Sequence, residues 1–263
     1  MKPVIGSVPY LNAKPLIKAF QHQGEQSPVE VVCDVPSRLP AMLDAGCAQA
    51  VMASSFDALR TPGRRIAAGV SISSLNAAES VRLFSKVDPG QIRRLALDAS
   101  SLTSNHLALV VLAERYGIKP EAAPVAPDRE AMLAEWDAAV LIGDNGLAAD
   151  EQGLPVLDLG SEWTALTGLP FVWALWIGRD GLDGSLARHL RDARDWGLAN
   201  LGLVAREASH ETVFGVQTCE HYLRDIMDYR LSQRHLEGLR TFGRLLVKNG
   251  LLRQAQEPQV VGA

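Results

Sequence analysis

The sequence predicts an α/β protein of two lobes with a helical C-terminal segment, and three observations carry that reading. Short apolar runs of strand length alternate with helix-forming stretches from the first residues. The alternation starts afresh near Arg94, and from Asp183 onward no strand candidate is evident. A chain of 263 residues can bury one substantial core or two. Apolar residues make up 47% and charged residues 21%, the balance of an ordinary soluble globular protein.

Val4–Val8 is the first strand candidate. Pro15–Phe20 begins a helix with its proline in the first turn, where the missing N–H costs little. Val29–Asp34 is the next strand, Ser37 reads as the cap of a helix running through Met42 and Leu43 toward Gly46, and Ala48–Ala53 is a third strand ending in Ser54-Ser55. Strand, helix and strand at this spacing imply a parallel pair with a right-handed crossover. Ile66–Ser71 and Ser80–Phe84 follow.

In the second block, Arg94–Asp98 is strand-like. Ser101–Tyr116 is a strong helix with Leu102, Leu107, Leu109 and Leu112 among its apolar positions, ended by Gly117 with Pro120 beyond. Ala138–Ile142 is a short buried strand leading into Gly143-Asp144-Asn145-Gly146. Val156–Leu159 and the aromatic-rich Phe171–Ile177 complete the strands. Gly184–Leu201, Ser209–Tyr229 and Ser232–Asn249 read as helices, the last with Leu236, Leu239, Phe242 and Leu246 on one side and Gly250 as its stop. Gln254–Ala263 loses the pattern and reads as a frayed tail. The lobes are expected at residues 1–85 with 172–263, and at 86–171. A cleft between them, outside the carboxyl ends of the strands, is where such sheets place ligands.

Several strands end in small polar residues. Tyr10-Leu11-Asn12, Ser54-Ser55, the run from Ser100 to Asn105, and Asp144-Asn145 all sit where a helix or turn begins. Helix starts offer unpaired N–H groups and a positive dipole end, worth about 0.3–1 kcal/mol to an anion and up to ~2 when partly buried. Ser, Thr and Asn add neutral donors, and they are also ordinary capping residues. Ser101, Thr103, Ser104 and Asn105 exceed what one cap needs. Two lobes presenting such ends across a cleft would suit a small dicarboxylate.

Other classes are set aside. A net charge of −4, with no Lys/Arg cluster, argues against nucleic acid. No run approaches the ~20 apolar residues of a membrane-spanning helix, and the opening residues make no secretory signal, so the expected location is the cytoplasm. The three cysteines are scattered and read as reduced thiols. HExxH, GxSxG, P-loop and GxGxxG patterns are missing, and Cys219-Glu220-His221 is too tight for a zinc pair. No metal or other cofactor is expected. Among the acids nearest the cleft, Asp144 is the most plausible participant. Trp163, Trp173 and Trp176 read as core or hinge packing rather than as ligand stackers.

Several segments together resemble one family. They are GSVPYLNAKPL from Gly6 to Leu16, Pro36–Leu39, Ser80–Lys86, LDASSLTSN from Leu97 to Asn105, Ile142-Gly143-Asp144, and TGLPFVWALW from Thr167 to Trp176. The family is chorismate dehydratase, the first enzyme of the futalosine route to menaquinone, and the resemblance runs from about residue 4 to 252. It implies a periplasmic-binding-protein-like fold of type II used as a cytoplasmic, cofactor-independent hydro-lyase. The reaction implied is dehydration of chorismate to 3-[(1-carboxyvinyl)oxy]benzoate. Leu75–Glu79 departs from the family in lacking the expected Gly/Pro-containing segment, and Asn145-Gly146 departs from its small-apolar pattern.

On this resemblance the expected catalytic residues are Asn12, Ser80 and Asp144. Tyr10, Ser54, Ser55, Ser101, Thr103 and Ser104 are the expected substrate-binding residues. The protein is expected to be a monomer or homodimer. Two alternatives share the lobes: a non-catalytic solute-binding protein for small anions, and the pathway's sister enzyme acting on cyclic dehypoxanthine futalosine.

Overall fold

The structure is a computed structural model describing residues 2–36 and 38–262, so the Ser37 cap reading lies outside the described residues. Two sheets account for the alternation. In the first, β1 (Val4–Ser7) lies between β2 (Glu30–Cys33) and β3 (Ala50–Ser54) and runs parallel to both, as strand–helix–strand spacing requires. A single 3₁₀ turn, Leu11–Ala13, leads into α1 (Lys14–Gln23), whose proline occupies the first turn. α2 (Leu39–Asp44) and α3 (Ser55–Arg60) follow β2 and β3, and β4 (Arg65–Ser74) runs three residues beyond the expected strand.

The second sheet has the order β7-β6-β8-β5-β9, formed by β5 (Arg82–Ser85), β6 (Arg94–Asp98), β7 (Glu121–Val125), β8 (Ala138–Leu141) and β9 (Val156–Asp158). Its helices are α4 (Thr103–Tyr116), α5 (Arg129–Glu135), α6 (Gly143–Ala148) and α7 (Leu159–Thr167). The chain returns in β10 (Phe171–Gly178), antiparallel to β3 and β4 in the first sheet. α8 (Gly184–Ala199), α9 (Leu201–Glu211), α10 (Val216–His221) and α11 (Gln233–Lys248) then cover that sheet's side of the molecule, and β11 (Gln259–Val261) closes the chain.

Three expectations change. Arg82–Ser85, assigned by sequence to the first lobe, pairs antiparallel with β8 and β9, so the chain leaves the first sheet before Arg82. We therefore take residues 75–81 and 168–170, which lie between strands of different sheets, as the crossings. The tail is not frayed: Gln259–Val261 adds in parallel to the edge of β4, where Val260 and Val261 meet Ile66 and Ala67. Ser209–Tyr229 is not one helix. α9 ends at Glu211, α10 is short, and Tyr222–Ile226 forms one π-helical turn before extended chain bridges Asp228 to Ser73.

Sequence periodicity does not announce β7, because Glu121-Ala-Ala-Pro-Val has little β propensity. It survives as an edge strand, where Pro124 need not donate. Aromatic packing ties the return crossing together. Phe171 meets Trp163 of α7, Trp173 of β10 and Phe242 of α11 edge-on, with centroids 5.1, 4.4 and 5.0 Å away. Trp163 and Phe171 are almost fully buried, and burying a side chain such as Phe171 contributes about 1.5–3 kcal/mol.

Candidate active site

β1, β3, β4, β6, β8 and β10 all contribute, directly or through the residues that follow them, to one narrow cleft between the sheets. Its lining includes Tyr10, Asn12, Ser54, Ser80, Ser100, Ser101, Thr103 and Ser104, with Met52, Ile72, Trp173 and Met227 as an apolar slot. Its cavity volume is about 90 Å³. Among the described residues that line it, none is an acid, lysine, arginine or histidine. A larger open groove of about 480 Å³ lies between α11 and the tail and shares no lining residue with this cleft.

The opening segment explains its own unusual composition. Tyr10 is extended (φ −68°, ψ 156°) and its carbonyl accepts the Ala13 N–H at 3.1 Å, so β1 stops and a turn starts. Tyr10 and Asn12 thereby face the cleft instead of the core. Burial pushes the Tyr10 phenol up from its ordinary value, and the Ser100 hydroxyl across the cleft partly offsets this. The ring also packs about 3.5 Å from where a Cβ of Gly143 would lie, and Gly143 takes a left-handed φ of 59°.

The Ser100–Asn105 run builds the start of α4. Helix α4 begins at Thr103, two residues later than expected, with Leu102 as an N-cap that offers no side-chain acceptor. Ser101 Oγ accepts from the Ser104 N–H at 3.3 Å, while Asn105 donates to the carbonyls of Asp98 and Ser101. Asp98 itself accepts from the Ser100 N–H and hydroxyl and from the Ile142 N–H, and burial holds its carboxyl above the usual range. Asp98 is thus spent on shaping the loop.

Ser80 arrives on a strained crossing. Asn76 and Glu79 have φ of 69° and 56°, a conformation glycine adopts freely, in the very stretch where the sequence lacks the expected Gly/Pro. Asp158 compensates by accepting from the N–H groups of Ala78 and Glu79 at 2.9 and 2.7 Å. Ser80 Oγ lies 2.7 Å from the phenol oxygen of buried Tyr222.

Two expected residues do not reach the cleft. Ser55 is fully buried, because it is the first residue of α3 and the cleft-facing position falls to Ser54. Asp144 is not among the lining residues; its Oδ1 accepts the Leu11 N–H at 3.1 Å, tying α6 to the first lobe. Burial raises its carboxyl, opposed by that N–H and by Lys14. Ser54 and Thr103 do line the cleft, but they hydrogen-bond to each other at 2.5 Å. Sequence reasoning missed Tyr222, Met52, Ile72 and Met227. Only the alternation of β3 and β4 could have flagged the second and third of these. Among the described residues no three His, Cys, Asp or Glu side chains gather to hold a metal ion.

Two α/β lobes around a cleft at the carboxyl ends of their strands define the class of periplasmic-binding-protein-like folds. The periplasmic aliphatic sulphonate binding protein of Escherichia coli superposes with a TM-score of 0.68 at 15% identity, covering 100% of this chain and 94% of that one. A crystal structure of an Archaeoglobus fulgidus protein superposes with a TM-score of 0.76 at 18% identity, over 95% and 98% of the two chains. The chain belongs to the menaquinone biosynthesis family, whose model matches residues 3–248. A relative, the chorismate dehydratase of Thermus thermophilus, is 28% identical over 270 residues, covering 94% of this chain and 96% of that protein.

Proposed function

We propose that this member of the menaquinone biosynthesis family dehydrates chorismate to 3-[(1-carboxyvinyl)oxy]benzoate, acting in the futalosine route. The observation that carries the reading is the uncharged lining: a small cleft rich in hydroxyls at the start of α4, with Met52, Ile72, Trp173 and Met227 as apolar lining. The 28% identity to a chorismate dehydratase supports it.

The reaction removes the proton from the ether-bearing ring carbon and the hydroxyl from its neighbour, releasing one water and leaving an aromatic ring. That proton is allylic to a double bond conjugated with the ring carboxylate, so negative charge spreads onto the carboxylate as it departs. Ser101, Ser104 and the first amides of α4 bind that carboxylate. A single well-placed donor of this kind contributes on the order of 3 kcal/mol. Asn12 and Ser80, with Tyr10, face the reacting edge. Thr103 and Ser54 hold the lobes together over the substrate, and Asp144 acts from outside by fixing Leu11. With no acid or base in the lining, the substrate's own side-chain carboxylate takes the proton and passes it to the departing hydroxyl, so that water leaves and the carboxylate is restored; holding it beside the C–H raises its effective concentration. The ring lies in the slot of Met52, Ile72, Trp173 and Met227.

Incubating the purified protein with chorismate, and following loss of one water by mass spectrometry, tests the reading. An enzyme-dependent aromatic product is the expected result. Chorismate that binds and survives would make this a solute-binding protein. If it neither binds nor reacts, cyclic dehypoxanthine futalosine is the substrate to test.

A further inference from the structure

Tyr222 stands behind the cleft and not in it. It opens the π-helical turn Tyr222–Ile226, is only 2% exposed, and places its phenol oxygen 2.7 Å from Ser80 Oγ. The Asn12 side chain lies beside the same phenol. Tyr222 therefore stands where the interlobe crossing meets the turn before α1, and Ser80 and Asn12 both line the cleft. π-Helical turns recur at functional sites because they reposition single side chains within a helix.

Either oxygen of the Tyr222–Ser80 pair can donate, and when the phenol proton goes to Ser80 Oγ the Ser80 proton is left free for the cleft. Asn12 Oδ1 is buried there without a partner. Burial pushes the Tyr222 phenol well above its ordinary value, so the pair stays neutral at any working pH.

We infer that Tyr222 is a positioning residue that gives its phenol proton to Ser80 Oγ, so that Ser80 donates toward the hydroxyl-bearing edge of the substrate beside the buried Asn12 Oδ1, an inference that rests on the dehydratase reading. The departing hydroxyl gives its hydrogen bond to Asn12 Oδ1 and receives one from Ser80, so its oxygen is stabilised as the C–O bond breaks. Without the phenol, Ser80 and Asn12 are free to turn and pair with each other or with water.

The test is steady-state dehydration of chorismate by wild type, Tyr222→Phe, Ser80→Ala and the double variant, with melting curves for all four. Tyr222→Phe keeps the ring, so a cooperative melt is expected, with kcat down about tenfold or more and KM within about threefold. Ser80→Ala is expected to lose kcat by a similar factor, and the double variant to be no slower than the slower single one. Tyr222→Phe turnover within about twofold of wild type, a loss confined to KM, or additive losses in the double variant would overturn the positioning role while leaving the dehydratase reading intact. A wild-type protein that does not dehydrate chorismate would overturn both.

Discussion

Ser54 Oγ and Thr103 Oγ1 stand 2.5 Å apart, the first at the exit of β3 and the second in the opening turn of α4, so hydroxyls of opposite lobes meet across the cleft. Thr103 Oγ1 also lies 3.0 Å from the Trp173 carbonyl, which can only accept. The Thr103 proton goes to that carbonyl, so Ser54 donates to Thr103, and Ser54 in turn accepts from the Phe56 N–H. One continuous chain of hydrogen bonds runs from α3 through α4 to β10. Both hydroxyl protons are thus committed within the protein, so under the proposed reading these two residues join the lobes and do not donate to an anion.

Thr103→Val tests that role directly. It strands a buried carbonyl and the Ser54 hydroxyl, which costs about 1–3 kcal/mol, read as a lower denaturation midpoint. Because the lost contact joins the lobes, KM for chorismate should rise more than kcat falls. Adding Ser54→Ala to Thr103→Val should cost little further, since its partner is already gone. Fully additive losses would show that the two hydroxyls act independently.

Asn12→Ala should abolish most turnover while the fold persists. Asn12 is half-buried at the cleft, and its Oδ1 is a buried acceptor without a protein partner. Loss of such a group at the reacting edge is expected to lower kcat by about 100-fold or more, with a melting temperature close to wild type. Wild-type turnover in this variant would remove Asn12 from the chemistry.

What the sequence made legible was position along the chain; what it hid was direction and distance. Polar strand exits located Tyr10, Asn12, Ser54, Ser101, Thr103 and Ser104, the resemblance added Ser80, and the fold gathers those seven into one cleft. The same composition could not separate Ser54 from Ser55, because adjacent residues at a strand end face opposite ways. Nor could it tell an Asp144 that enters the cleft from one that grips a backbone N–H behind it. Tyr222 was hidden for another reason. It sits in what reads as unbroken helix, and its partner Ser80 is 142 residues away in sequence. The tail strand was equally invisible, since a three-residue strand is defined by the edge it joins.

Asp144 yields a pH-dependent prediction with a definite sign. Burial raises its carboxyl above the ordinary value, so the folded chain binds its proton more tightly than the unfolded chain does. Ionisation therefore costs stability. The penalty is missing below the unfolded carboxylate range, grows as pH rises toward the raised value, and persists above it. Asp144→Asn keeps an Oδ1 acceptor for the Leu11 N–H and removes the buried charge. Its melting temperature should exceed that of wild type at pH 7, and the gap should close as pH falls to about 4. A gap that stays constant across that range would mean the carboxyl is not destabilised by burial.

Gly146 yields a prediction about Ser80 without touching it. A Cβ on Gly146 would lie 2.2 Å from the Ser80 carbonyl oxygen and 3.0 Å from that of Leu141, both backbone atoms that cannot swing aside. The Gly146 carbonyl is also fixed, accepting from Arg82 Nε at 2.9 Å. Gly146→Ala must therefore push α6 away from the crossing segment. That segment is already committed to a left-handed Glu79 and to the grip of Asp158. Overpacking of this kind costs about 1–3 kcal/mol, visible as a lower midpoint of unfolding. Because the displaced backbone is that of Ser80, kcat should fall as well, by more than the loss of folded protein explains. Gly90→Ala is the matching control: no atom lies within 4 Å of the added Cβ, and both stability and turnover should stay at wild-type values. If Gly146→Ala lowers stability and leaves kcat intact, Ser80 does not depend on the fit of α6 against the crossing.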